Sequence, residues 1–562
     1  MVQWFLEVLH HHPEVTFFLV LGLGYILGKL RLGSFTLGAV TGTLLAGVIV
    51  GQLGVTVSGD VKQCFFLLFL FSIGFRTGPQ FFRGLKSDGL HEAALAAFVA
   101  TMGLAVAYVT SRVLGYDAGT SAGLIAGAMT ESATIGTAGD AISRLPLSEA
   151  GRAALANNIP VAFAVTYLIG VIGAAWILSQ LGPRIMRVNL AEECRKLEEQ
   201  MQGGRTGLHG GHELVIRGYV IEPGSPFVGR RVGDIEVQIV AARIYISRLH
   251  RDNELIDTDE MTELYAGDTI VLSGRRDDLL ARLAGGDWGL RETDDKQLLD
   301  VPFETLDIVV TNKAFDGRTL ADLAHEHGAR GLFLKKITRG GTGVPMFPQT
   351  RINRGDVLTV VGSIRATTQA ADQLGFADRA TDVTDMVVVA TGIVAGALIG
   401  VPALRAGGIE LGLSLSVGVL LGGLVCGWLR SVQPRLFGRI PTATLWIFES
   451  IGLTGFVAIV GLNAGPNFVR GLEASGLTLV IAGLVTVSIP HICGILVGRH
   501  VFHMHPGVLL GVCAGAGTAT PALAAIQEAA KSSVPTLGYG LAYAVGNILL
   551  ALWGTVIVTL IH

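Results

Sequence analysis

The chain is poor in charge. Asp, Glu, Lys and Arg make up 15% of its 562 residues, where a soluble globular protein carries roughly 25%. What charge there is concentrates between Arg184 and Asp382. There is no basic tail and no acidic block, so a net charge of −3 gives no footing for nucleic acid. The five cysteines (Cys64, Cys194, Cys426, Cys493, Cys513) are scattered without CxxC spacing, four of them in apolar stretches. Neither a disulfide framework nor a metal site is expected. His10–His12 reads as a solvated terminus rather than a metal cluster. Met1–His12 has no Lys or Arg ahead of its apolar run, which argues against a cleaved secretory signal. A dinucleotide loop is missing too: Gly22-Leu23-Gly24 with Gly28 has GxGxxxG spacing inside an apolar run. No nucleophile–base constellation emerges, so neither enzymatic activity nor a cofactor is expected.

What the chain has is length in apolar residues. It is 50% hydrophobic with a mean hydropathy of +0.55. Runs of about 20 apolar residues match a hydrocarbon core about 30 Å thick. Six such segments precede the polar middle, near Val15–Leu30, Phe35–Leu53, Val61–Gly78, Leu90–Leu114, Gly119–Ser143 and Asn158–Leu181. Six follow it, near Met386–Val401, Leu411–Leu429, Thr442–Leu462, Leu477–Val497, Gly507–Ala529 and Pro535–Ile561. The composition reads as membrane repeat (1–183), charged linker (184–211), two soluble modules (212–290 and 300–376) and a second membrane repeat (384–562).

The membrane halves resemble each other. Gly42, Gly47 and Gly51 fall on Gly418, Gly423 and Gly427 without a gap. The block Gly74-Phe75-Arg76-Thr77-Gly78-Pro79-Gln80-Phe81-Phe82-Arg83-Gly84-Leu85 falls on Gly461-Leu462-Asn463-Ala464-Gly465-Pro466-Asn467-Phe468-Val469-Arg470-Gly471-Leu472. A third match sets Thr134 on Thr518, Ala138 on Ala522 and Ile142 on Ile526. Matches in one order mark an internal duplication. With the polar insert placed in the cytoplasm, Arg430, Arg435, Arg439 and Arg499 fall inside, as the positive-inside rule asks. Lys29, Arg31, Arg83 and Lys86 do so only if the first half crosses an odd number of times. The fifth segment of each half, interrupted by Gly, Thr and Ser, is then expected to be broken or re-entrant. Inverted repeats with broken helices at mid-membrane are a recurrent transporter design. The fold class expected is a polytopic α-helical membrane protein of two inverted repeats with two inserted α+β modules. Those modules repeat each other as well: Phe227-Val228-Gly229-Arg230 matches Phe315-Asp316-Gly317-Arg318, and Ala266-Gly267-Asp268 matches Arg354-Gly355-Asp356. Strands are expected around Leu214–Val220, Ile239–Ser247 and Thr269–Leu272.

On the doubled GxxxGPxFxRGL block and the order membrane half, two modules, membrane half, the chain resembles the aspartate–alanine exchanger family of bacterial secondary transporters. The modules resemble the C-terminal domain of regulators of potassium conductance. The family is similar to the inverted-repeat antiporters and bile-acid transporters, in which one domain moves like an elevator. The resemblance covers essentially the whole chain. It implies an inner-membrane antiporter exchanging external aspartate for internal alanine, working as a homodimer. Succinate-type dicarboxylates are the alternative cargo, and a small ligand at the cytoplasmic modules is a further expectation.

Arg76 is the sharpest candidate site residue. It follows an uncharged run from Cys64 to Phe75, and a cation at membrane depth costs about 2.5–3.5 kcal/mol. A guanidinium can grip a carboxylate through two parallel hydrogen bonds. A snorkelling residue at a helix end is the plain alternative. Its repeat mate is the neutral Asn463, so the shared scaffold does not require the charge. Thr77 lies beside it. The Gly-Pro pairs Gly78-Pro79 and Gly465-Pro466, with Gly74 and Gly461, are expected to end or kink a helix. In the two broken segments Thr130, Glu131, Ser132 and Thr134, with Thr518, Thr520 and Pro521, offer hydroxyls and opened peptide groups, and half-helix N-termini favour anions. Glu131 suits a cargo ammonium or a proton. Asn157, Asn158, Tyr543 and Asn547 are weaker polar candidates, and Lys62 is a candidate anion attractor at the outer mouth. Two rivals are a cation–proton antiporter carrying its proton on Glu131 or Asp140, and a channel whose filter is Thr536-Leu537-Gly538-Tyr539-Gly540.

Overall fold

A computed structural model describes the chain except Met1 and residues 33–34, 85–88, 203–213, 240–243, 253, 276–278, 280–287, 294–302, 325–329, 340–341, 380–382, 407–408 and 413. Arg83 has a described backbone within a helix, and Lys86 lies outside the described residues. The chain divides into a membrane unit (Met1–Glu199, Arg339–Pro345, Thr381–His562) and a second unit (Gln200–Thr338, Met346–Ala380).

The membrane unit is helical. Its first half contains α1 (Val2–His11), α2 (Pro13–Gly28), α3 (Ala39–Gly51), α4 (Gly59–Gly84), α5 (Leu90–Leu114), α6 (Ala118–Ala128), α7 (Ala133–Ser143) and α8 (Glu149–Trp176). The second half, numbered here over membrane helices alone, contains α9 (Met386–Gly400), α10 (Leu415–Val432), α11 (Thr442–His500), α12 (Pro506–Ala516), α13 (Thr520–Ala530) and α14 (Thr536–Ile561). Local chemistry sets several boundaries. Asp117 caps α6 by accepting from the Thr120 N–H at 2.8 Å, Ser148 caps α8 and Ser414 caps α10. Left-handed Gly115 (φ 69°) closes α5.

Among the described residues, seven stretches are long and apolar enough to cross a membrane. The polytopic expectation therefore holds. Each fifth segment is broken, as expected, into two helices of 11 residues. Each piece is about 16 Å long, half the hydrocarbon thickness. The break falls at residues with positive φ, Thr130 (53°) and Thr518 (51°). These equivalent turns correct the third sequence match. Thr518 pairs with Thr130, 388 residues away, so setting it on Thr134 was out of register by one helical turn.

A second correction concerns the Gly-Pro pairs as helix ends. Gly78-Pro79 lies inside α4, and Gly465-Pro466 lies inside α11, a continuous 59-residue helix carrying two membrane-length stretches, Thr442–Gly465 and Gly476–His500. Neither pair ends a helix. The glycines serve packing instead, and they do so reciprocally. A β-carbon on Gly47 would stand 2.8 Å from the Ala458 carbonyl oxygen and 3.1 Å from the Gly461 Cα. One on Gly423 would stand 3.0 Å from the Phe75 nitrogen, and one on Gly74 would stand 2.8 Å from the Leu424 nitrogen. So α3 of one half lies bare-backed on α11 of the other, and α10 on α4. The two glycine motifs that reveal the duplication in the sequence are one another's packing partners across it.

Among the described residues, the polar middle of the chain contains two five-stranded sheets. The first is built from β1 (Leu214–Ile221), β2 (Tyr245–Arg251), β3 (Glu254–Asp257), β4 (Thr269–Arg275) and β5 (Leu290–Thr293) in the order β3-β2-β4-β1-β5. The second is built from β6 (Phe303–Val310), β7 (Phe333–Arg339), β8 (Thr342–Val344), β9 (Val357–Ser363) and β10 (Gly375–Asp378) in the order β8-β7-β9-β6-β10. The order is the same, and both central strands β4 and β9 pair antiparallel to their neighbours. The strand expected over Ile239–Ser247 begins later, at Tyr245, because Val232–Ile239 is helical. Arg330 joins the modules: its guanidinium donates to Glu236 Oε2 at 2.7 Å and Oε1 at 3.0 Å, and to the Thr258 and Ile246 carbonyls. The stretch expected as a charged linker contains an amphipathic helix, Leu190–Gln202, with Cys194 buried.

Candidate functional site

The two breaks meet. Thr130 Oγ1 donates to the Gly517 carbonyl at 2.9 Å, Thr518 Oγ1 donates to the Met129 carbonyl at 3.2 Å, and the two hydroxyl oxygens are 3.5 Å apart. Each broken segment thus satisfies a carbonyl that the other's turn has freed. Irregular backbone at this depth needs such partners.

Beside the crossing lies a cavity of about 460 Å³, within the range of small-molecule sites. From the breaks it takes Thr130, Glu131, Ser132, Thr518 and Thr520, from α14 Tyr543 and Asn547, and from α8 Tyr167. The scaffold side supplies Tyr25, Ala39, Val40, Phe69 and Ile73, and α11 supplies Trp446, Glu449, Ser450, Leu453 and Thr454. Glu131 is 3% exposed, and its Oε1 accepts from the Ala133 N–H at 2.9 Å, which caps α7. The equivalent position in the other half is Ala519, and among the described residues no side chain caps α13. One half-helix N-terminus therefore carries its own carboxylate and the other, among the described residues, has no side-chain cap. Thr520 shares a 2.9 Å hydrogen bond with the Tyr539 hydroxyl, Tyr539 stacks on Tyr543, and Asn547 donates to the Tyr543 carbonyl at 2.7 Å.

Arg76 is not alone. Its Nη1 donates to Glu449 Oε2 at 2.6 Å, with the two side chains 40% and 19% exposed. Arg76 follows an uncharged run in the sequence, but in the fold it is ion-paired across the repeat. Arg76 reaches the cavity through Glu449, which lines it. Sequence reasoning missed Glu449, although it is the sole charge in Thr442–Leu462. It also stands as far ahead of Asn463 as Lys62 stands ahead of Arg76.

Other candidates fall outside the lining. Thr77 bonds back to the Ile73 carbonyl within its own helix at 2.8 Å. Thr134 donates to the Leu550 carbonyl at 2.9 Å. Asn463 holds the backbone N–H and carbonyl of Val57, both at 3.2 Å. Pro521 sits in the first turn of α13, and Asn158 serves the α6 cap by donating to Asp117 at 2.8 Å. Asp140 accepts from the Ser416 hydroxyl, which itself accepts from Gln63 Nε2 at 3.2 Å. This cluster stands apart from the cavity. Thr536–Gly540 is the first turn of a helix, so its carbonyls point along the axis into helical bonds and form no filter.

A duplicated helical membrane unit with a polar cavity at two interrupted segments defines the class: a membrane transporter. Residues 16–182 and 388–559 match the family Asp-Al_Ex, described as a predicted permease membrane region, and the chain belongs to that family. Residues 216–284 match the TrkA-C domain. A Shewanella oneidensis protein named as an uncharacterized transporter is 39% identical over the full length of both chains. One from Bordetella parapertussis is 38% identical, covering 98% of this chain and 97% of the relative, and one from Zymomonas mobilis is 32% identical over 99% of each. No solved structure matches.

Proposed function

We propose that the chain is a secondary antiporter of small carboxylate-bearing solutes, with aspartate for alanine the leading pair, working by alternating access in a bacterial inner membrane as a homodimer with the modules in the cytoplasm. The observation that carries this reading is the crossing of the two interrupted segments at one polar cavity. Hydroxyls of Thr130, Ser132, Thr518 and Thr520 border it, an uncapped half-helix N-terminus faces the same break, and a guanidinium waits at its edge. These are groups that bind a carboxylate.

The repeats also supply a route for access to alternate. Val40, Glu449 and Ser450 wall the cavity. Their repeat mates are Ser416, Lys62 and Gln63, and in this state Gln63 and Ser416 are tied together and to Asp140. If the halves exchange conformations, this tie opens and a second vestibule forms there, while the present cavity closes. Each arrangement is then the other's image under the pseudo-symmetry.

The test is counterflow in proteoliposomes. Vesicles loaded with unlabelled alanine or aspartate are expected to accumulate labelled aspartate, and empty vesicles are not. Uptake into empty vesicles at the same rate would replace exchange with uniport, and the absence of uptake with aspartate, alanine or succinate inside would remove the carboxylate reading.

A further inference from the structure

We propose that Glu449 is a specificity residue that admits cargo bearing an ammonium group, and that its ion pair with Arg76 is divided between the ammonium and one carboxylate of that cargo. The inference rests on the exchange reading above and goes on to say which carboxylates qualify.

Among the described residues that line the cavity, the charged ones are Glu131 and Glu449. Glu131 is committed to the α7 N-terminus through Ala133. Glu449 is half committed: Oε2 takes Arg76 at 2.6 Å, while Oε1 is buried without a hydrogen-bond partner among the described residues. A buried carboxylate oxygen left unpaired costs free energy that a donor recovers. The hydroxyls nearby can accept as well as donate, but the charge count favours a cation. Two carboxylates face one guanidinium, so a dicarboxylate without an amine would add two negative charges to a site already in excess of them. Aspartate carries an ammonium beside its two carboxylates and adds one negative charge where succinate adds two, and alanine adds none. The cargo's ammonium can donate to Glu449 and one carboxylate can accept from Arg76.

This also gives a physical basis for obligate exchange. With the cavity empty, Arg76 and Glu449 neutralise each other. Pulling them apart would strand the more buried Glu449 without its cation. A zwitterion that bridges them replaces each partner, so the pair can separate only while cargo is bound.

The experiment compares aspartate with succinate, which keeps both carboxylates and lacks the amine, in the same counterflow assay, for the wild-type chain and Glu449→Gln. The wild type is expected to prefer aspartate by about tenfold or more, the size of one charged hydrogen bond. Glu449→Gln is expected to erase most of that preference through loss of aspartate exchange. An unchanged ratio in the variant, or a wild type that exchanges succinate as well as aspartate, overturns the proposal while leaving the antiport reading intact. Should the variant fail to fold, N-acetylaspartate against the wild type decides the matter. Its amine is an uncharged amide, so it should leave labelled aspartate uptake untouched, and competition as strong as that of unlabelled aspartate refutes the role of Glu449. A wild type inert to all three solutes refutes the antiport reading and this proposal together.

Discussion

The hydroxyl oxygens of Thr130 and Thr518 lie 3.5 Å apart although 388 residues separate them. Each residue holds a left-handed backbone and hands a hydrogen bond to the other's turn. The crossing is therefore a joint between the two halves as well as the floor of the cavity. Thr130→Ser keeps the hydroxyl and should melt near the wild type in detergent. Thr130→Val keeps the shape but strips the Gly517 carbonyl of its donor, at a cost of about 1–3 kcal/mol. Equal melting temperatures for the two variants would show that the bond contributes nothing.

Arg76→Ala should abolish carboxylate exchange and also lower stability, because it strands Glu449. With Arg76 40% exposed, about 1–2 kcal/mol is expected rather than the full penalty of a buried pair. Arg76→Ala combined with Glu449→Ala should recover the melting temperature and leave exchange absent. Recovered transport in the double variant would place the cargo elsewhere.

The glycine contacts predict a sharp contrast. A methyl at Gly465 would stand 2.7 Å from the Gly51 carbonyl carbon, whereas one at Gly22 meets nothing within 4 Å. Gly465→Ala should cost about 1–3 kcal/mol by overpacking, and Gly22→Ala should be silent. Fluorescence-detected size exclusion after graded heating reads both.

Opening past Gln63 and Ser416 can be blocked. With the five native cysteines replaced, Gln63→Cys with Ser416→Cys should form a disulfide on oxidation, stop exchange and regain it on reduction. Continued exchange by the cross-linked protein would show that this face stays shut throughout the cycle.

In the second unit, Arg330→Met leaves Glu236, 8% exposed at its side chain, without its cation. A loss of about 3 kcal/mol is expected, read as faster proteolysis of residues 212–376 in the intact protein. Unchanged protection would mean that the strands alone hold the two modules.

Much of this was legible in the sequence. The polar break at Thr130–Ser132 and the duplicated glycines could be read because backbone needs leave residue-type signatures: small residues where helices touch, hydroxyls where peptide groups open. Seven of the residues named from the sequence reach the cavity, from Thr130 to Asn547. What could not be read was pairing across long separations. Thr77 and Thr134 look like site hydroxyls in one dimension, yet the first is spent on its own helix and the second on α14. Arg76 looked solitary because its partner lies on another half of the chain. The Gly-Pro pairs end no helix because proline within a helix weakens one turn, while α3 and α10 pack against those helices there.

The reciprocal fit of α3 on α11 and α10 on α4 has a consequence for how the protein is made. During synthesis the strips at Gly47 and Gly74 are made before α10 and α11, the helices that cover them. The whole soluble insert is translated in the interval. Neither half is a finished object, and a chain cut after Gly182 would be left with two open seams that only its missing other half is shaped to close.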